Sequence, residues 1–428
     1  MPRVIEVPEL SVIVLMGASG SGKSTFARQH FQPSEILSSD AFRAAVADDE
    51  SDQSVTADAF EALYYMAEKR LKNARLCVID ATNVRAQDRS GYVQLAKRYH
   101  VATVGIVFRP NAGVSLARNL KRPHRQVAEQ VVHTQIASLQ QDLAGLEAEG
   151  FGAIHILDPT VDTAVEIVRK RFACNKRDQH GPFDIIGDVH GCYKEMAELL
   201  SQLGYQETAT AADDPIWGSR TWSHPNGRKA VFVGDLVDRG PHALATMRAA
   251  RNMVMNGSAL TVPGNHDIKF SRWLRGNTVT TANGLNRSIA DFQSLHLPLH
   301  EAAAAAFADF LDNPASHYVL DGGKLVVAHA GLGADLQGRC TNIVREMAIF
   351  GKLPGEEYDL HWAEKYHGRA MVVYGHIPIT EPDWVNGTIN IDTGCVFGRK
   401  LTALRYPEIE LVSVVAQGAY DVYIPNLR

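Results

Sequence analysis

Two groups of residues in this sequence have the types and spacing that phosphate chemistry requires. The first is a glycine-rich loop ending in Lys-Ser-Thr, at residues 17–25. The second is a set of acidic and histidine-containing motifs past the midpoint, at residues 187–191, 234–240 and 264–267. Loops of the first kind hold nucleotide phosphates, and motifs of the second kind bind pairs of divalent metal ions. We therefore expect one part of the chain to add phosphate and another part to remove it.

The glycine-rich loop follows the apolar run Ser11–Met16, which predicts a buried strand feeding a helix near Lys23. Backbone amides of such a loop surround the β-phosphate, and the helix N-terminus adds a favourable dipole. Lys23 can reach the β- and γ-phosphates, and Ser24 can bind Mg²⁺. We expect ATP and Mg²⁺ to bind through the residues of this loop: Gly17, Ser19, Gly20, Ser21, Gly22, Lys23, Ser24 and Thr25.

The acceptor of the phosphate depends on residues that follow the loop. Asp40 comes after a second short apolar stretch, and a carboxylate there can orient an acceptor hydroxyl and accept its proton. Arg43, three residues on, can hold a phosphate of the acceptor. An N-cap aspartate beside a solvated arginine is the structural alternative.

Three more residues are candidates for the same site. Asp80 ends the apolar run LCVID and is a candidate for holding Mg²⁺ through water. Arg118 and Arg122 are four residues apart, so they share one face of a helix. This spacing fits a lid that brings two guanidinium groups to the transferring phosphate, although a solvated basic helix has the same pattern.

The second half offers six candidate metal ligands near the ends of successive apolar runs. A two-metal centre needs a bridging carboxylate, terminal ligands and room for a hydroxide, and Asp235 is the expected bridge. Mixed nitrogen and oxygen ligands suit Mn²⁺ or another transition ion better than Ca²⁺. We expect Asp188 and His190 to bind the first metal, and Asn265, His329 and His376 to complete the second.

Four further residues suit the substrate phosphate or its proton transfer. Arg239 can bind two phosphoryl oxygens bidentately. His266 can protonate the leaving oxygen, with Asp238 orienting or charging it. A structural ion pair between Asp238 and Arg239 is the alternative. Asp392 ends another apolar run and is a candidate on the substrate-phosphate side, with a structural role equally compatible with the sequence.

Strand and helix patterns alternate in residues 1–173, which predicts an α/β domain with a parallel sheet and helices on both faces. Val161–Phe172 is expected to be its closing helix, and the polar stretch 174–182 a linker. Residues 183–428 predict an α+β domain, a two-sheet sandwich with flanking helices. In its last part, Leu401–Val415 alternates like strands of an antiparallel sheet.

Composition limits the classes of protein to consider. The 428 residues are 45% apolar and 21% charged, which is typical of a soluble globular protein of two or three domains. The net charge of −5 excludes a globally basic nucleic-acid binder but not local basic grooves. Five cysteines without CxxC spacing favour reduced thiols and a cytoplasmic location. We expect no signal peptide and no membrane span, and homodimer formation stays open.

The segments GASGSGKSTFARQHF, SSDAFR, DDESDQSV and VIDATN resemble the kinase module of bacterial polynucleotide kinase-phosphatase over nearly all of residues 10–170. The resemblance implies ATP-dependent phosphorylation of 5′-OH ends of RNA or DNA. It also implies Asp40 as general base, Arg43 on the acceptor-side phosphate, and Arg118 and Arg122 as lid residues.

Residues 183–405 resemble the calcineurin-like phosphoesterase superfamily. The resemblance to polynucleotide kinase-phosphatases implies that this module removes 2′,3′-cyclic, 2′- and 3′-phosphates from RNA ends. Members of that family usually continue into a ligase domain, whereas this sequence contains no KxDG-type adenylation motif. Sealing of the ends is therefore expected to need a separate ligase.

Three hypotheses follow. The first is a bifunctional enzyme that heals nucleic-acid ends, with RNA as the expected partner. The second is a metabolite kinase fused to a protein phosphatase or a dinucleoside tetraphosphatase, because the same metal motifs serve that chemistry. The third is a nucleotide-gated binding protein in which a site has decayed, and the intact Lys23, Ser24, Asp40 and six candidate ligands argue against it.

Overall fold

The structure, a computed structural model, describes residues 2–121, 127–158, 160–162, 164–357, 359 and 361–422, without the side chains of 211–213 and 297. The chain divides into two compact units, Met1–Phe172 and Ala173–Arg428. In neither unit is a described helix long and apolar enough to cross a membrane. All five cysteines lie in the described parts, and none forms a disulfide.

The first unit is built on a parallel five-stranded sheet with strand order β3-β4-β2-β5-β6, beside a separate parallel pair of β1 and β7. Its strands are β1 (Arg3–Pro8), β2 (Ser11–Met16), β3 (Ile36–Ser38), β4 (Cys77–Asp80), β5 (Ala102–Phe108), β6 (Ala153–Leu157) and β7 (Val165–Lys170). Its helices are α1 (Lys23–His30), α2 (Ser39–Ala47), α3 (Thr56–Lys72), α4 (Ala86–Arg98), α5 (Ala112–Leu120) and α6 (Glu129–Asp142).

Strand β2 lies at the centre of this sheet and is buried over its whole length. Val12 and Val14 belong to one apolar core, whereas Ile13 and Leu15 belong to another. Because successive side chains of a strand point to opposite faces, the two cores cover the two faces of the sheet. This confirms the parallel sheet with helices on both faces, and it places the end of β2 where the glycine-rich loop begins.

Two expectations about the end of this unit differ from the structure. Residues 165–170, expected within a closing helix, form β7 and pair in parallel with β1. The reason is an alternation of period two, in which Val165 and Ile167 pack on the core that contains Ile5 and Val7. The segment 174–182, expected to be a linker, contains a strand of the second unit and is hydrogen-bonded to it.

The second unit contains two larger sheets and a β10–β11 hairpin. The sheet orders are β13-β12-β9-β19-β20 and β17-β18-β16-β15-β14-β8. The strands are β8 (Asn175–Lys176), β9 (Phe183–Ile186), β10 (Gln206–Asp214), β11 (Gly218–Ser223), β12 (Lys229–Phe232), β13 (Ala259–Thr261), β14 (His317–Leu320), β15 (Leu325–Ala328), β16 (Met371–Tyr374), β17 (Trp384–Val385), β18 (Thr388–Asn390), β19 (Lys400–Tyr406) and β20 (Glu410–Val415). The helices are α7 (Tyr193–Gln202), α8 (Ala243–Met255), α9 (Asn265–Leu274), α10 (Leu285–Gln293), α11 (His300–Leu311) and α12 (Asn342–Phe350).

The two sheets pack face to face around one apolar core. Ile185 and Val231 enter this core from the first sheet, and Val327 and Val373 enter it from the second. A further core lies on the other face of the first sheet, where side chains of α7, α8 and α11 pack. The expected two-sheet sandwich with flanking helices is therefore confirmed. Strands β9, β12 and β13 run parallel, so the loops that follow them lie at one edge of the sheet.

Candidate functional site

The glycine-rich loop connects β2 to α1 with a backbone that only glycine adopts readily. Gly20 and Gly22 have φ values of 81° and 107°. A Cβ atom at Gly20 would overlap with the carbonyl oxygen of Ser115 on α5. The Lys23 side chain is buried, and its Nζ donates to the carbonyl oxygens of Gly17 (2.7 Å) and Ala18 (2.9 Å). The loop therefore has the concave shape of a phosphate-binding site, and the Lys23 side chain lies across it.

Asp80 lies beside this loop at the end of β4. It pairs in register with Leu15 on one side and Ser38 on the other. Burial raises the pKa of Asp80, whereas the charge of Lys23 and a hydrogen bond from Ser24 act in the opposite direction. The structure thus brings Asp80 to the hydroxyl of Ser24, and these two side chains would hold a Mg²⁺ ion, whose charge would favour the carboxylate form of Asp80.

Asp40 and Arg43 lie on α2, and they contact one another. Ser38 is the N-cap of this helix, so Asp40 is not needed for the capping role that was its structural alternative. The buried Arg43 side chain forms an ion pair with Asp40, and its Nε donates to the carbonyl oxygen of Glu50 at 2.9 Å. Asp40 keeps 36% of its side-chain surface exposed. The arginine therefore orients a carboxylate that remains partly exposed.

Two side chains from α5 and α6 contact the loop from the other side. Arg118 Nη1 donates to the carbonyl oxygen of Ser21 at 3.1 Å. The amide of Ser19 donates to Gln135 Oε1 at 2.8 Å. Gln135 has no sequence motif that could have identified it, because its contact joins residues far apart in the chain. Arg122, predicted to be the second lid arginine, lies outside the described residues.

In the second unit, the six candidate metal ligands come from loops at strand ends. His329 directly follows β15, and Asn265 is the first residue of α9. Two sets of side chains place their ligand atoms within 4.8 Å of one another among the described residues: Asp188 with Asp235 and His329, and His190 with Asp235 and His266. Asp235 belongs to both sets, which is the position expected of a bridging carboxylate. The sequence had grouped Asp188 with His190 instead.

In two histidines, a hydrogen bond at one ring nitrogen leaves the other nitrogen turned toward the candidate metal ligands. His190 Nδ1 lies 2.9 Å from the carbonyl oxygen of Val237, and His329 Nδ1 lies 3.0 Å from that of Val233. A carbonyl can only accept, so each Nδ1 carries the proton and each Nε2 presents an electron pair. These Nε2 atoms lie 3.5 Å and 3.4 Å from Asp235 Oδ2.

The remaining ligands also direct electron pairs to this place. Asn265 Oδ1 lies 2.9 Å from His329 Nε2 and 2.9 Å from His376 Nδ1. Asp188 Oδ2 accepts the backbone amide of His376 at 3.0 Å, whereas its buried Oδ1 has no hydrogen-bond partner among the described residues. Burial raises the pKa of Asp188 and Asp235. Several acceptor atoms converge here, and the Oδ1 atom of Asp188 has no donor within the described ranges, so the residues present can hold divalent cations.

Beside the ligands lies a chain of polar side chains that contains the predicted phosphate and proton residues. His266 Nδ1 lies 2.7 Å from Asp238 Oδ2, and Ser288 Oγ donates to Asp238 Oδ1 at 2.7 Å. Arg239 Nη2 lies 3.5 Å from His266 Nε2. Burial raises the pKa of Asp238 to about 7 and lowers the pKa of His266. Asp238 thus holds the ring of His266 and does not pair with Arg239. Ser288 was not identified from the sequence.

Asp392 and Asp267 contribute carboxylates with different tasks. Asp392 is buried, and its negative charge raises the pKa of Asp188. Such a position favours a bound cation nearby, and the phosphate contact suggested for Asp392 stays a prediction. Asp267 accepts the amides of Leu236 (2.9 Å) and Gly264 (2.9 Å), so it joins two motif loops. Its place in the GNHD motif was the only signal for this structural role.

The loops at this site have an unusual backbone. Non-glycine residues with positive φ cost about 1–3 kcal/mol each and persist only where the surroundings hold them. Here they include His190 (47°), Asp235 (48°), Asp238 (70°), Arg239 (65°) and His376 (76°). The surrounding structure therefore stabilises a strained backbone, and this backbone directs the side chains toward one point.

Gly375 provides a test of how tightly the ligands are packed. A Cβ at this position would overlap with Asp188 Oδ1, so Gly375→Ala should displace that carboxylate. We expect metal affinity to fall roughly 10- to 100-fold, as when groups that orient ligands are removed. Metal binding by calorimetry measures the effect, and Gly418→Ala, whose Cβ would meet nothing closer than 3.8 Å, is the control. Unchanged affinity in a folded Gly375→Ala protein would contradict the packing argument.

Comparison with known protein families finds one matching family model in each of the two units. The model of the calcineurin-like phosphoesterase family matches residues 181–415, more than half of the chain. The chain therefore belongs to the calcineurin-like phosphoesterase family. A second model, described as an AAA domain, matches residues 12–146 and contains the glycine-rich loop.

Curated relatives match the C-terminal part of the chain. Asymmetrical bis(5′-nucleosyl)-tetraphosphatase PrpE of Anoxybacillus flavithermus is 41% identical over 244 residues, which cover 56% of this chain and 96% of the relative. The protein of the same name from Bacillus subtilis is 41% identical over 245 residues, covering 56% and 96%. The chain is thus a P-loop kinase-like domain fused to a metallophosphoesterase, with hydrolase activity in its second unit.

Proposed function

We propose that this protein is a bifunctional enzyme that heals nucleic-acid ends, with RNA as its substrate. The first unit adds phosphate to 5′-OH ends, and the second removes 3′-, 2′- or 2′,3′-cyclic phosphates. The observation that carries the proposal is the position of Asp40. An accessible carboxylate, held by a buried arginine, lies close enough to the P-loop site for its charge to act on Asp80. A carboxylate in this position can act as general base toward an acceptor hydroxyl, which ATP hydrolysis alone would not need.

The phosphotransfer divides among residues of the first unit. Lys23 and the loop amides bind the phosphates of ATP, and Ser24 and Asp80 would hold the Mg²⁺ ion that offsets the phosphate charge. Asp40 accepts the proton of the 5′-hydroxyl while the oxygen forms a bond to the γ-phosphorus. The bond between the γ-phosphorus and the bridging oxygen breaks, and ADP leaves. Arg118 contacts the loop backbone at Ser21 and stabilises the negative charge of the transferring phosphate.

The hydrolysis divides among residues of the second unit. Bound divalent ions supply Lewis-acid polarisation of the phosphoryl group and acidify water. Arg239 binds a phosphoryl oxygen through Nη2. Water forms the new bond to phosphorus as the bond to the leaving oxygen breaks. His266, when protonated at both ring nitrogens, gives its Nε2 proton to the leaving oxygen while Asp238 accepts the hydrogen bond from Nδ1, and the proton released by the water restores Nε2.

The names of the relatives favour a second candidate for the same unit, the hydrolysis of dinucleoside tetraphosphates. The relatives carry that name and are 41% identical to this chain over 96% of their length. The same metal centre can cleave a phosphoanhydride or a phosphomonoester, so substrate choice depends on groups outside the ligand set.

The deciding experiment compares substrates for both units. With Mn²⁺, the second unit is given a 3′-phosphate oligoribonucleotide, a 2′,3′-cyclic-phosphate oligoribonucleotide and diadenosine tetraphosphate, and kcat/KM is measured for each. The proposal expects the oligoribonucleotides to be better substrates. A higher kcat/KM for diadenosine tetraphosphate would replace it with the second candidate.

The first unit is tested with a 5′-OH oligonucleotide competing against a matching nucleoside. Arg43 is the expected contact for the acceptor phosphate, which a nucleoside lacks. A charge-assisted hydrogen bond is worth about 1.5–3 kcal/mol, or about 10- to 150-fold in acceptor efficiency. Arg43→Ala should therefore weaken oligonucleotide phosphorylation, through the lost phosphate contact and through the loss of the ion pair that orients Asp40, without changing ATP affinity. Equal use of the nucleoside by the wild type would support a metabolite kinase instead.

A further inference from the structure

The segment that follows β20 is held against the second unit by defined hydrogen bonds. The amides of Tyr420 and Asp421 donate to the carbonyl oxygen of Val396 at 2.8 Å and 3.0 Å. The hydroxyl of Tyr420 and the amide of Gln417 donate to Glu195 Oε1 at 2.8 Å and 2.9 Å. Glu195 is buried. The backbone at residues 417–421 is therefore fixed, and it carries the Asp421 side chain to a set position.

That position is beside the arginine assigned to the substrate phosphate. Asp421 Oδ2 accepts a hydrogen bond from Arg239 Nη1 at 3.2 Å. The guanidinium also lies over the ring of Phe397, with Cζ 5.2 Å from the centroid. The two charged side chains are 19% and 27% exposed, so water only partly screens their attraction. No sequence motif contains Asp421, and it is not among the site residues predicted from the sequence.

The contacts of Arg239 bind Nη1 to Asp421 and bring Nη2 close to His266. Nη1 is bonded to Asp421, and Nε is buried without a hydrogen-bond partner among the described residues. Nη2 lies 3.5 Å from His266 Nε2. Nε and Nη2 form one edge of the guanidinium, so the bond from Nη1 to Asp421 leaves that edge without a carboxylate partner in the described part of the chain. The bidentate phosphate contact expected from the sequence stays a prediction.

We infer that Asp421 is a positioning residue for phosphoester hydrolysis, which holds Arg239 so that Nη2 meets a phosphoryl oxygen next to His266. The inference rests on the proposed use of Arg239 as the phosphate contact. An alternative is that the carboxylate competes with the substrate for the guanidinium. The fixed backbone of the segment favours positioning, since a competitor must leave when the phosphate arrives.

The test measures kcat and KM for p-nitrophenyl phosphate with Mn²⁺ in the full-length protein. Asp421→Asn should raise KM about tenfold, equivalent to about 1.4 kcal/mol, with kcat changed less than about threefold. Asp421→Glu should restore part of the loss, because it keeps the charge. In an Arg239→Ala background, Asp421→Asn should have no further effect. Asp309→Asn, at an exposed acid that pairs with Arg275, is the control.

Two results would overturn the inference. A lower KM or tighter inhibition by inorganic phosphate in Asp421→Asn would make the carboxylate a competitor. An equal loss with and without Arg239 would make its effect independent of the arginine. If the wild type hydrolyses no phosphoester, the proposed function fails instead. The same variants then remain comparable through calorimetric binding of inorganic phosphate to the Mn²⁺-loaded protein.

Discussion

Replacing Asp235 with alanine is expected to remove both metal ions from the second unit and to lower phosphoester hydrolysis by about a thousandfold or more. Its Oδ2 lies 3.5 Å from His190 Nε2 and 3.4 Å from His329 Nε2, and its Oδ1 accepts the amide of His266 at 3.0 Å. One side chain therefore serves both ligand sets and also holds the loop that carries His266. Metal content by elemental analysis, together with hydrolysis of p-nitrophenyl phosphate, measures the change.

The matched variant is His376→Ala, which removes a ligand from one side of the centre only. His376 Nδ1 lies 2.9 Å from Asn265 Oδ1 and belongs to neither set that contains Asp235. We expect this protein to keep one ion and to lose less activity than Asp235→Ala. An Asp235→Ala protein that retains two tightly bound ions would disprove the bridging role.

Replacing Lys23 with alanine should lower phosphotransfer from ATP by about a hundredfold or more and leave phosphoester hydrolysis at the wild-type level. Lys23 Nζ is held over the loop by the carbonyl oxygens of Gly17 and Ala18, where it can turn toward a bound phosphate. The metal ligands belong to the other compact unit. Transfer of labelled phosphate to a 5′-OH oligonucleotide and release from a 3′-phosphate oligonucleotide measure the two activities.

Two controls accompany this variant. Lys72→Ala removes an exposed lysine at the end of α3 and should change neither activity. Asp40→Ala should also abolish phosphotransfer, and because Asp40 acts on the acceptor, ATP binding should persist. If a folded Lys23→Ala protein loses both activities, the model of two separate sites is untenable.

Much of the fold could be predicted because its signals are local. The run of residues 12–16 is apolar throughout, as a strand buried on both faces requires. The alternation in Leu401–Val415 likewise corresponds to the antiparallel pair β19 and β20. Strand β7 was missed because six residues with two inward side chains can fit a helix or a strand until a partner is known. That partner is β1, more than 150 residues earlier in the chain.

Sequence alone determined the chemical types at both sites. The P-loop and the metal motifs lie within single strand-to-loop connections. Local geometry therefore sets their spacing, and the motifs can be recognised in the amino-acid sequence. Tertiary structure alone decided how these residues are held and aimed. It places Gln135 on Ser19, Ser288 on Asp238 and Asp421 on Arg239, the last pair being 182 residues apart. Such contacts depend on how distant segments pack, and no pattern of neighbouring residues encodes that packing.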